Sequence, residues 1–161
     1  MDKIKLSPLE LDPSSPLRRT MPRPAHLRQS TYEDEFDFQT IFYDCFVSAD
    51  GTWRIFLGPP LLNLEPVVLP ALPTLFRCRS SSDVLVKDNV WTSQLWLRTW
   101  RNRANLPHGV FRQSEIAIQA NHFDLFRGRK VLLTLSKDND LQWIRDWILF
   151  FARKHGADAV L

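Results

Sequence analysis

Cysteine is scarce in this chain: of 161 residues only Cys45 and Cys78 carry a thiol. Their wide separation suggests neither a disulfide framework nor a cysteine zinc site, and a reducing cytoplasm is the compartment that fits. Long apolar runs are also missing. No stretch reaches the roughly 18 residues that a membrane-spanning helix needs, the first residues lack the apolar core of a signal peptide, and no Asn-x-Ser/Thr sequon occurs. His26, His108, His122 and His155 are widely spaced, and none stands in a ligand pattern with Cys, Asp or Glu, so no metal constellation is expected. There is no Gly-x-Ser-x-Gly, no Cys–His pairing and no Gly-rich phosphate loop, which excludes the familiar acyl-transfer and P-loop chemistries. No internal repeat is visible.

What is present is apolar and aromatic. With 44% hydrophobic and 12% aromatic residues the chain is ample for one core. A net charge of +3 and a pI of 9.1 allow an anionic ligand or surface without specifying nucleic acid, which is not expected as a partner.

Residues 1–35 contain Pro8, Pro13, Pro16, Pro22 and Pro24 and pass from Arg18, Arg19, Arg23 and Arg28 to Glu33, Asp34 and Glu35. This composition predicts a disordered tail, a solvated leader whose basic part would meet an anionic membrane surface or acidic partner if it met anything. Residues 36–128 have β character. Phe38, Ile41, Phe42, Tyr43, Phe46 and Val47 precede the tight-turn pair Asp50-Gly51, and Trp53, Ile55 and Leu57 follow, predicting a hairpin. Pro66, Pro70 and Pro73 argue against a central strand or a helix interior there, leaving short edge strands at 67–69 and 75–78. Further strands are expected at 84–86, 91–100 and 116–119, with turns at Asp88-Asn89 and Pro107-His108-Gly109. The sum is an antiparallel, sandwich-like or partly closed domain of six to eight short strands. Within it, Trp96 to Arg103 interleaves aromatics with cations, as single-strand nucleic-acid grooves and sugar platforms do; a strand end with an exposed basic turn explains it more simply. The tryptophans are expected mainly in the core.

From residue 129 the pattern changes. Val131, Leu132, Leu133 and Leu135 form a nearly unbroken apolar run suited to a strand covered on both faces. Ser136, Asp138 and Asn139 are candidate helix caps, Asp138 and Asp140 suit the positive end of the dipole, and Arg153, Lys154, His155 and Gly156 mark the other end. Apolar residues resume at 157–161, so the order is strand, helix, strand, expected to be parallel. Leu141, Ile144, Ile148, Phe151, Ala152 and His155 share the stripe that would lie on the sheet, with His155 expected to satisfy terminal carbonyls. Trp143, Trp147 and Phe150 occupy a second flank that needs a cover. The loop at 136–140 leaves the carboxyl end of a strand and enters a helix, where open α/β sheets bind ligands; helix capping explains its Ser136 and Asp138 equally well.

These residues carry a resemblance. The run Leu132 to Leu141, the element Trp143-Ile144-Arg145-Asp146-Trp147 and the ending His155 to Leu161 resemble the opening of the catalytic domain in GT-A fold glycosyltransferases of the family 92-like and family 2-like kinds. The resemblance implies an α+β chain: an accessory antiparallel β domain at 36–128, then at 129–161 the first βαβ unit of a Rossmann-like GT-A domain. It implies transfer of a sugar from a nucleotide-sugar donor to a glycan acceptor, usually with Mn²⁺ or Mg²⁺. Thr134, Leu135, Ser136 and Asp138 would line the nucleobase and ribose end of the donor pocket, with Asn139 and Asp140 beginning the helix beside it. The family's Asp-x-Asp metal motif and catalytic base lie beyond the second strand, so no catalytic or metal residue is assigned here. The expectation is an N-terminal, truncated portion of such an enzyme that neither binds donor well nor acts alone. The alternative is a non-catalytic β-sandwich module for carbohydrate or a protein partner.

Overall fold

The computed structural model describes residues 5–133 and 139–160. The protein is α+β and divides into two compact units, one ending at Asn121 and one starting at His122. The boundary therefore precedes the expected one at 128/129, because the turn of 3-10 helix at Phe123–Phe126 belongs with the second unit. No helix among the described residues is long and apolar enough to cross a membrane.

In chain order the first unit contains β1 (Leu9–Glu10), a one-turn helix α1 (Tyr32–Glu35), β2 (Thr40–Phe42), β3 (Asp44–Val47), β4 (Trp53–Gly58), α2 (Glu65–Leu75), β5 (Val84–Asp88), β6 (Ser93–Arg98), β7 (Arg103–Asn105) and β8 (Glu115–Ala117). Its centre is a four-stranded antiparallel sheet of order β3-β4-β6-β5. Since β4 and β5 both run antiparallel to β6, they are parallel to each other, and α2 is the crossover that parallel strands require. The hairpins form where turn chemistry calls for them. Gly51 takes φ +75°, and the Asp50 carboxylate accepts from the Ser48 hydroxyl and the Thr52 amide; the β5–β6 turn closes through Asn89 N donating to Thr92 O at 2.8 Å.

One face of this sheet makes the core. Phe56, Leu95 and Leu97 are fully buried with Cys45 beside them, and the rings of Phe42, Phe56 and Phe76 meet in sequence at 5.4 Å centroid separations. Gly58 lets β4 pass close to β2, since a Cβ there would run into Ile41 O and the Phe42 Cα. The layer opposite the sheet is supplied by α2 and the two-stranded pieces β1–β2 and β7–β8, in place of the second full sheet of a sandwich.

Three expectations for this unit are corrected. First, the proline-rich segment is helical. Leu64, Val68, Leu72 and Phe76 face the core, while Pro66, Pro70 and Pro73, at i, i+4 and i+7, fall together on the other side. There Pro66 and Pro70 are exposed, and Thr74 Oγ1 donates to Pro70 O at 2.9 Å. Second, the described part of the presumed tail is not disordered. Leu9 and Leu11 are 0% and 1% exposed, β1 pairs with β2, and Arg112 N donates to Glu10 O from the other side. A two-residue strand inserted between distant partners leaves no periodicity for a sequence reading to find. Third, no tryptophan is buried: phenylalanine fills the core instead.

The second unit contains β9 (Val131–Leu132), α3 (Leu141–His155) and β10 (Ala159–Val160). The expected strand–helix–strand order holds, and the strands are parallel, with Ala159 opposite Val131 and Val160 opposite Leu132. Helix α3 is capped at both ends, by the Asp140 carboxylate accepting from Gln142 N at 2.8 Å and by Gly156 at φ +66°.

Candidate functional site

The donor-pocket residues named from sequence, Thr134, Leu135, Ser136 and Asp138, lie outside the described residues. What frames them is defined. β9 ends at Leu132 and Leu133 is 75% exposed; Asn139 and Asp140 are exposed at the helix start, and Asp140 is the N-cap rather than the upstream candidates. At the other end, Lys130 Nζ donates to His155 O at 3.0 Å, so a lysine satisfies the carbonyl expected to fall to a histidine. The His155 ring instead stacks near Phe151 and Phe150, with centroids 5.1 and 5.7 Å away.

Helix α3 has no buried residue. Ile144, Ile148 and Phe151 of the sheet-facing stripe are half-buried, whereas Leu141 is 80% exposed. On the second flank Trp147 is half-buried against Phe151, and Trp143 and Phe150 remain exposed. Among the described residues no three His, Cys, Asp or Glu side chains converge.

The first unit presents a surface on the sheet face opposite the core. Trp53 and Trp96 meet edge to face at 6.2 Å, and each ring is covered by a cation, Arg98 at 4.6 Å and Lys87 at 4.0 Å. Trp96 Nε1 donates to Gln94 Oε1 at 2.9 Å. Ile55, opposite both Phe46 and Trp96 in register, is buried in their midst.

Beside this face lies a cleft of about 400 Å³ lined by Arg54, Arg77, Arg79 and Arg98, with Asp83 and Trp100. Local structure explains each position. Arg77 follows α2 with φ +56°, a left-handed conformation uncommon outside glycine, and the turn it makes carries Arg79 to the same cleft. Asp83 closes a capping box, its carboxylate accepting from Arg79 N and Ser80 N. Arg54 is the floor. Its Nε donates to Asn102 Oδ1 at 2.9 Å, Nη1 to Gly51 O at 2.7 Å and Nη2 to Trp100 O at 3.2 Å, and burial pushes its pKa below the ordinary arginine value.

Of this cleft the sequence singles out only the wall at Arg98 to Trp100, within a run more simply read as a strand end with a basic turn. The run Trp96 to Arg103 was visible, and its strand end with a basic turn is observed, but the α2–β5 loop extends the patch with Arg77 and Arg79. No spacing rule joins residues 77 and 98; the crossover does.

No protein-family model, curated protein or solved structure matches this chain.

Proposed function

We propose that residues 129–161 are the donor-end strand–helix–strand unit of a GT-A type glycosyltransferase domain, and that the first unit is its accessory domain. The observation that carries this reading is the parallel register of β9 and β10 across a helix capped by Asp140 and Gly156. In sequence, Ser136 and Asp138 lie between the carboxyl end of β9 and the start of α3, and the carboxyl end of a parallel strand is where α/β folds take ligands. The exposed Leu141, Trp143 and Phe150 are consistent with a helix that belongs to a larger sheet-based core.

The reading concerns binding of a nucleotide-sugar at that loop. The resemblance places neither the family's metal motif nor its catalytic base within these residues, so purified residues 1–161 are expected to transfer no sugar. Equilibrium dialysis against a nucleoside diphosphate tests the binding. In a chain carrying Arg79→Ala and Arg98→Ala, weak uptake that Asp138→Ala abolishes supports the reading; uptake indifferent to Asp138 counts against it.

A second reading, a non-catalytic module for carbohydrate or a protein partner, is favoured by Trp91 and Trp100, which are 83% and 77% exposed. Glycan-array binding without nucleotide, lost on replacing either tryptophan, would select it.

A further inference from the structure

The arginine cleft of the first unit is electrostatically unbalanced. Four guanidiniums line it against one carboxylate, and that carboxylate is engaged by the backbone amides of its own turn. Arg54 is committed to three loop acceptors. Arg77, Arg79 and Arg98 are not: among the described residues none of these guanidiniums pairs with a carboxylate. Like charges gathered around an open volume repel one another, and an anion between them reverses the sign of that interaction.

The walls are held rather than loose. Arg54 fastens the β3–β4 turn at Gly51 to the segment at Trp100 and Asn102, and Arg98 lies over the Trp53 ring. The left-handed backbone at Arg77 ends α2, with Arg77 N donating to Thr74 O and Cys78 N to Pro73 O, and this fixed turn sets where Arg77 and Arg79 leave the helix. Trp100 supplies a different chemistry on the same wall: it is 77% exposed, with the Arg101 guanidinium 5.4 Å from its ring centroid.

We infer that this cleft binds a phosphorylated small molecule of nucleotide size, its phosphate taken by Arg77, Arg79 and Arg98 and its planar ring stacked on Trp100. Planar guanidinium forks match phosphate oxygens in paired hydrogen bonds. A volume of about 400 Å³ suits a single small ligand. A nucleic-acid strand would be expected to find a continuing basic groove with successive stacking rings; here Trp53 and Trp96 are already covered by Arg98 and Lys87. The inference concerns the first unit and stands independently of the donor-loop reading of the second.

Calorimetric titration of the whole chain with pyrophosphate, AMP and adenosine tests it. Pyrophosphate and AMP are expected to bind saturably at one site, weakening as salt rises, while adenosine alone does not bind. Arg79→Ala and Arg98→Ala should each weaken both anions by about tenfold or more. Trp100→Ala should weaken AMP and leave pyrophosphate unchanged, a readout that a folding defect would not reproduce. Arg98→Lys, which keeps the charge, should recover part of the loss, and unchanged circular dichroism verifies the fold. The inference is overturned by absent saturation with both anions, or by arginine variants that fold and bind like the parent. It is overturned equally if affinity for single-stranded oligonucleotides climbs with length while AMP does not bind.

Discussion

Arg54 and Arg19 are both buried guanidiniums on the first unit, yet they are satisfied to different degrees. Each nitrogen of Arg54 has an acceptor, whereas Arg19 donates from Nη1 to Asp37 O at 3.0 Å, lies over the Phe36 ring and leaves Nε without a partner. Arg54→Met strands three acceptors and should lower unfolding free energy by about 2–4 kcal/mol. Arg19→Met strands one and removes an unpaired donor, so its cost should be clearly smaller; urea denaturation of the two variants compares them. Asp37 gives a pH dependence. Burial pushes its carboxyl up, but hydrogen bonds from the Thr40 side chain and from the Thr40 and Gln39 amides, with the Arg19 charge, outweigh burial and hold it below 3.8. On acidification the unfolded chain therefore takes up the proton first. The stabilisation is complete above the ordinary aspartate value and is lost as pH falls through the lowered folded value. Unfolding midpoints of the parent and Asp37→Asn should accordingly differ most near neutrality and converge below that window; a constant gap contradicts the assignment.

Among the elements, α2 shows how a valid local rule can mislead. Proline opposes helix interiors because it removes a donor and crowds the preceding turn, but the three prolines lie away from the core, while Val68, Leu72 and Phe76 hold the helix to the sheet. Pro70→Ala restores the missing amide and should raise stability by about 1 kcal/mol or more; a fall would show that proline's restriction of the unfolded chain matters more. Gly58→Ala should have the opposite effect, costing about 1–3 kcal/mol, because β2 and β4 would have to separate. Thermal melts resolve both signs. The hairpins at Asp50-Gly51 and Asp88-Asn89 and the C-terminal end of α3 at Gly156 are legible because their chemistry is carried by adjacent residues. Other features required the fold. β1 is set by distant partners at Thr40, Phe42 and Arg112, and the cleft joins a loop after α2 to the end of β6. Trp53 and Trp96 lie outside the core, on the far side of the sheet, where cations cover their rings.

At the scale of the whole molecule, the two units differ in how apolar surface is used. The first gathers Leu9, Phe42, Phe56, Phe76, Leu95 and Leu97 into one fully buried cluster, while the second has a helix without a buried residue. Independent stability follows a shared core, so residues 1–121 expressed alone should keep the same cooperative melt, and amides of α3 should exchange much faster than those of β4 and β6. The donor-end assignment of the second unit is tested most directly by residue-resolved NMR during titration with UDP and Mg²⁺, using Arg79→Ala/Arg98→Ala to silence the first unit's cleft. The account predicts weak, saturable shifts at residues 131–133 and at Asn139 to Ile144, around the loop of Ser136 and Asp138. Unmoved amides there, at nucleotide concentrations that saturate no other part of the chain, would contradict it.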